Sequence, residues 1–192
     1  MTPHSAPSVT AEAVSPRNSR PEPGEFHEYY AGYVKRVPAG DIVEILAAQL
    51  ADTIGPLRLL DEARASFAYA PGKWTIAEVV GHLCDAERVM AQRALRFARG
   101  DTTPLPGFNE NSYVPAGDFG GRSMSSLLDE LAAVRAATVA LFANLPPAAW
   151  TRSGRANDVP VSVRALACII AGHERHHRAL LKERYGVGGL NG

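Results

Sequence analysis

Four long segments of this chain repeat their apolar residues at the three-to-four-residue spacing of an α-helix, and no segment alternates well enough for a substantial strand. A helical bundle is the architecture that buries such stripes. The first segment begins at Asp41, an N-cap, and sets Ile42, Ile45, Leu46, Gln49, Leu50 and Thr53 at helical spacing, with Pro56 expected to kink or divide it. The second opens at Thr75, three residues before Glu78 in the T-x-x-E pattern of a capping box, and runs to Gly100, about 37 Å at 1.5 Å per residue. The third starts at Ser123, carries Leu127, Leu131, Val134, Thr138 and Leu141 on one face, and stops at Pro146-Pro147. The fourth opens near Ser162 and ends at Gly186. Only residues 157–163 have strand character, too little to change the fold class: all-α, a four-helix bundle with a long loop between helices two and three.

That loop, residues 101–122, is rich in proline and glycine, which excludes regular structure over most of it; a loop so long in a compact domain is a lid or an excursion. Residues 1–25 carry Pro3, Pro7, Pro16, Pro21 and Pro23 among Ser, Thr and Ala, with few large apolar side chains to offset the entropy of ordering, and are expected to form a disordered tail. The domain is residues 26–192, opening with a segment, Phe26 to Val37, aromatic enough to pack.

The 20 basic and 20 acidic residues cancel, so no sequence-wide affinity for nucleic acid is expected, and the 17 arginines among the basic residues read mainly as solvated faces and helix ends. Cys84 and Cys168 are far apart in apolar helical contexts and read as reduced core residues. No apolar run approaches the roughly 18 residues of a membrane span and the start lacks the apolar stretch of a secretory signal, so a cytoplasmic protein is expected.

Of six histidines, His82, His173, His176 and His177 lie in helices two and four. His173 and His177 sit one turn apart, about 40° apart on one face, so their imidazoles can converge on one ion. His82 is the candidate third imidazole from another helix: Val79, Ala86 and Val89 share its face, which turns it inward, where an unpaired ring is costly. Neutral imidazole nitrogen suits Zn²⁺ or Ni²⁺. His176 falls between the directions of a shared ion and either lines the pocket or is exposed; His4 and His27 carry no assignment. Residues 173–177 also spell H-E-x-x-H, the zincin pattern, but only 15 residues follow and none supplies the third zincin ligand, so a peptidase is not expected.

The run PGKWTIAEVVGHLCDAERV, followed at His173 by AGHERHHRALLKERYG, resembles the DinB/YfiT-like superfamily, in which a Trp-containing turn leads into a helix bearing G-H-L and the last long helix bears H-x-x-x-H. The likeness covers about residues 40–186. It implies a four-helix bundle with one divalent metal, Zn or Ni, on His82, His173 and His177, commonly in a homodimer acting on a small-molecule substrate. Some such proteins are transferases or isomerases using a low-molecular-weight thiol, which implies a metal-dependent thiol S-transferase. A non-catalytic metal-binding stress-response module and a metal-dependent hydrolase are the alternatives. Glu174 is either a proton acceptor or partner beside the site or a solvated residue, and Asn109, Glu110, Asn111 and Tyr113 either cap the site or belong to a solvated loop.

Overall fold

Helix boundaries follow the capping chemistry. In the computed structural model, which describes residues 15–190, α1 spans Ala31–Arg36, α2 Ile42–Leu57, α3 Glu62–Ala65, α4 Ile76–Ala98, α5 Glu110–Ala116, α6 Met124–Ala143 and α7 Val163–Glu183. The Asp41 carboxylate accepts from the Val43 N–H, Thr75 and Glu78 complete the capping box in both directions, and the Ser123 and Ser162 hydroxyls each accept from the N–H three residues on. Pro56 falls in the last turn of α2 and α3 follows separately, so the first segment is divided rather than kinked.

The bundle is α2, α4, α6 and α7. Both α2 and α4 pack against α6 and α7, which places the consecutive α2 and α4 diagonally across it. Its apolar core has two layers: one takes Leu46, Phe97, Phe142 and Ile169, the other Leu57, Val80, Leu128 and Leu181, each set drawn from the same four helices. The order in which each helix visits the layers makes α4 and α6 run one way and α2 and α7 the other. The adjacent α4 and α6 are therefore parallel, and the chain must travel back along the bundle between them, which is the physical reason for the long connection.

That connection holds more regular structure than its prolines and glycines suggest. It contains α5 and a 3-10 turn at Phe119–Gly121, and Leu105 exchanges backbone hydrogen bonds with Arg155 and Asn157. Residues 157–163 prove to be the second half of a hairpin: β1 (Ser153–Ala156) pairs antiparallel with β2 (Val159–Ser162) around Asn157 and Asp158, both at positive φ, which these side chains tolerate. The fold remains a helical bundle with this small sheet at one end.

Residues 15–25 fall in the compositional tail, and the structure gives them partners. Arg17 donates to the Ala143 carbonyl, Arg20 to those of Val34 and Val37, and Glu25 accepts from Arg164 and from the Ser162 hydroxyl at 2.6 Å. Here the ordering cost is met by hydrogen bonds rather than apolar burial, which composition does not register. Residues 1–14 of the expected tail, His4 among them, lie outside the described residues.

Two glycines set how closely outer segments approach the bundle. A Cβ on Gly172 would lie 2.1 Å from the Tyr33 carbonyl oxygen, and one on Gly81 2.3 Å from the Phe119 ring. Each immediately precedes a histidine, so α1 lies directly on α7 beside His173 and the Phe119 ring on α4 beside His82.

Candidate metal centre

α4 presents His82 and α7 presents His173 and His177 to a common point. The Nε2 atoms of His82 and His177 each lie 3.1 Å from Nε2 of His173, and one ring nitrogen from each of the three falls within 4.8 Å of the others. A single imidazole nitrogen carries either a proton or an in-plane lone pair, so His173 Nε2 cannot relay a donor–acceptor chain between its neighbours. Three lone pairs converging on one ion account for the arrangement better: with metal–nitrogen bonds of about 2.1 Å, adjacent ligand nitrogens stand about 3.0–3.4 Å apart. Burial pulls the His82 pKa down to about 4. It holds His173 and His177 well below the usual histidine range, with the neighbouring rings adding to the effect. All three rings are therefore neutral near pH 7, the state a metal ligand needs.

Aromatic neighbours hold these rings. Trp74, from the turn before α4, packs on His82 with centroids 4.8 Å apart, and Tyr33 of α1 meets His173 edge-on at 5.4 Å. His176 stays outside the cluster; half-buried, it packs against Tyr33 and His177 and lines the cleft.

The cluster forms the floor of an open cleft of about 550 Å³, walled by Tyr30 and Tyr33, by Met90 and Arg93 of α4, by Phe108 and Glu110 of the long connection, and by Asn157 and Val159 of the hairpin. His27 stands at its edge, its Nδ1 accepting from the Tyr29 N–H. The long connection thus reaches the site through Phe108 and Glu110, while Asn109 caps α5 and Asn111 and Tyr113 are exposed. Sequence reasoning missed Tyr30, Tyr33, Arg93 and Phe108. A signal existed for Arg93, which follows His82, Ala86 and Met90 at successive turns of one face of α4.

Glu174, the glutamate of H-E-x-x-H, faces away from the cluster and is neither solvated nor a proton acceptor there. It is 2% exposed, pairs with the Arg135 guanidinium at 2.8 Å, and accepts from Gln49 and Thr53. Arg135 also donates two hydrogen bonds of 2.8 Å to the Glu87 carboxylate and one to the Leu46 carbonyl. One guanidinium of α6 thereby joins α2, α4 and α7. Burial alone would lower the Arg135 pKa, but Glu174 and Glu87 more than offset this and raise it.

YfiT from Bacillus subtilis, described as a probable metal-dependent hydrolase with an unusual four-helix bundle topology, shares this architecture with a TM-score of 0.63 at 19% identity, over 88% of this chain and 94% of its own. The mycothiol-dependent maleylpyruvate isomerase gives a TM-score of 0.60 at 13% identity, over 75% of this chain and 60% of its own. At these identities the likeness is one of fold. A comparison with curated proteins finds no match. Residues 45–181 match the DinB superfamily, a span that holds all three clustered histidines and leaves Tyr30 and Tyr33 outside it. The chain belongs to the DinB superfamily.

Proposed function

We propose that this protein is a metal-dependent enzyme that joins a low-molecular-weight thiol to a small electrophile. One observation carries the reading: three neutral imidazoles converge at the floor of an open cleft with no carboxylate among them. His82, His173 and His177 would hold a divalent ion, Zn²⁺ or Ni²⁺, whose charge, undiminished by neutral ligands, would lower the pKa of an incoming thiol. The transfer forms a sulfur–carbon bond as a carbon–oxygen bond of an epoxide, or a carbon–halogen bond, breaks; the thiol proton ends on the opened oxygen or in solvent. The cleft's aromatic walls, Tyr30, Tyr33 and Phe108, would orient the electrophile over the cluster. The chain supplies no thiolate of its own, because burial pushes Cys84 to about 12 and Cys168 to about 11. Two buried free thiols also suit the reducing cytoplasm, where we place the reaction.

The description of YfiT as a probable hydrolase supports a second reading, in which the same ligands activate water. Against it stands the commitment of Glu174 to Arg135, which leaves H-E-x-x-H without a free general base.

Protein purified without added metal should carry close to one equivalent of Zn or Ni by plasma mass spectrometry, and the His82→Ala, His173→Ala and His177→Ala variants none. The loaded protein should consume an epoxide or alkyl halide only when thiol is present. Ester or amide turnover without thiol would replace transfer by hydrolysis, and full activity in the metal-free triple variant would end both readings.

A further inference from the structure

Three turns beyond His82 on the same face of α4, Arg93 lines the cleft as a cation only 5% exposed. The other two buried arginines have carboxylate partners: Arg135 has Glu87 and Glu174, and Arg178 has Asp52 at 3.4 Å. Among the described residues Arg93 forms no ion pair, and the one side chain that acts on its charge is Tyr30. A buried cation without a counter-ion is costly unless something that binds supplies one.

The donors on Arg93 are only partly used. Nη2 donates to the Pro106 carbonyl at 2.8 Å, one of the five N–H groups a guanidinium offers, and the Tyr30 phenol lines the cleft close enough to act on its charge. The Phe108 ring centroid lies 6.0 Å from the guanidinium carbon. The Tyr30 hydroxyl is a donor on the same wall of the cleft. Burial raises the Tyr30 pKa, with Arg93 pulling the other way, and the phenol stays protonated near pH 7. A guanidinium with free donors beside a phenol matches an oxyanion, and a carboxylate is the smallest planar one that meets the fork with two oxygens.

We propose that Arg93 and Tyr30 form a subsite for a carboxylate on the small molecule that binds in the cleft, so that the enzyme selects anionic ligands engaging the histidine cluster at one end and the guanidinium at the other. The two ends stand roughly 10–13 Å apart, taking about 1.5 Å of rise per residue less the backward lean of the long side chain. This inference rests on the reading that the histidines hold a ligand-binding metal, and the carboxylate can belong to either the thiol or the electrophile.

The test is calorimetric titration of zinc-loaded protein with 6-mercaptohexanoate, whose chain covers that span, with 6-mercaptohexanol, its uncharged counterpart, and with hexanoate, which lacks the sulfur. The wild type should bind the mercapto acid about tenfold or more tightly than the mercapto alcohol, and Arg93→Gln should erase that preference by weakening the acid far more than the alcohol. Tyr30→Phe removes one donor and leaves the guanidinium in place; it should reduce the preference about threefold, and it tests the subsite even where Arg93→Gln does not fold. Equal binding of acid and alcohol by the wild type, or a preference that survives Arg93→Gln or that Tyr30→Phe leaves intact, overturns the subsite. If neither thiol binds but hexanoate binds in an Arg93-dependent way, the subsite stands, the thiol reading falls, and the carboxylate belongs to the other substrate.

Discussion

His173 and Glu174 are adjacent, both buried, and point about 100° apart around α7, and the two polar regions they belong to are built on opposite principles. Around Glu174 each charge is answered: Arg135, Glu87, Gln49 and Thr53 close a network that touches all four bundle helices. Around His173 three imidazoles converge with their lone pairs unanswered, in a cleft open to solvent. A closed network fixes the packing of the helices, whereas an open one has binding capacity left. Burial alone does not separate the two, since His173 is 7% and Glu174 2% exposed; hydrogen-bond satisfaction does.

The largest effect should come from the closed region. Arg135→Ala leaves the Glu87 and Glu174 carboxylates buried without their cation and should cost about 3–5 kcal/mol by urea or thermal melting. Replacing all three residues together with apolar ones of similar volume should cost less than Arg135→Ala alone. A single-variant loss below about 1 kcal/mol would show that the network does not hold the bundle.

The open region should respond to metal instead. At a free metal concentration 100 to 1,000 times its dissociation constant, zinc should stabilise the folded protein by about 2.7–4 kcal/mol. Chelation should remove that increment as a lower melting temperature, His177→Ala should abolish it, and the Arg135→Ala variant, where folded, should retain it. Metal stabilisation unchanged in His177→Ala would break the contrast between the regions.

The smallest effect belongs to a partly exposed pair, Glu25 with Arg164, which ties the segment before α1 to the start of α7. Burial raises the Glu25 pKa, but hydrogen bonds from Arg164 and Ser162 outweigh it and set it below its usual 4.5. A depressed carboxylate stabilises above its unfolded value and loses that contribution as pH falls through the folded one. The stability gap between wild type and Glu25→Gln should therefore be under about 1 kcal/mol at pH 7 and shrink below pH 4.5. Melts at pH 7 and pH 3.5 compare the two, and a gap that widens in acid would reverse the assigned sign.

Legibility in the sequence tracked the range of the interaction. Helix starts were readable because Asp41, Thr75, Ser123 and Ser162 act on N–H groups two or three residues away. The convergence of His173 and His177 was readable because helical spacing alone places them on one face. The first strand of the hairpin was not: Ser153, Gly154, Arg155 and Ala156 carry no apolar alternation, and the strand exists because β2 and Leu105 pair with it. Arg135 fell beside the apolar face of its helix with no local sign of its role, since Glu87 and Glu174 lie 48 and 39 residues away in sequence.

Four capped amphipathic helices and the histidines that can meet are written in the residue order, because they depend on a local period and short-range hydrogen bonds. Packing adds that α4 and α6 run parallel, that Glu174 serves the core rather than the cleft, and that Arg93, beside Tyr30, forms no ion pair among the described residues. Those outcomes turn on which distant charges and donors meet once the helices pack, and a side chain's direction around its own helix axis does not say what waits there.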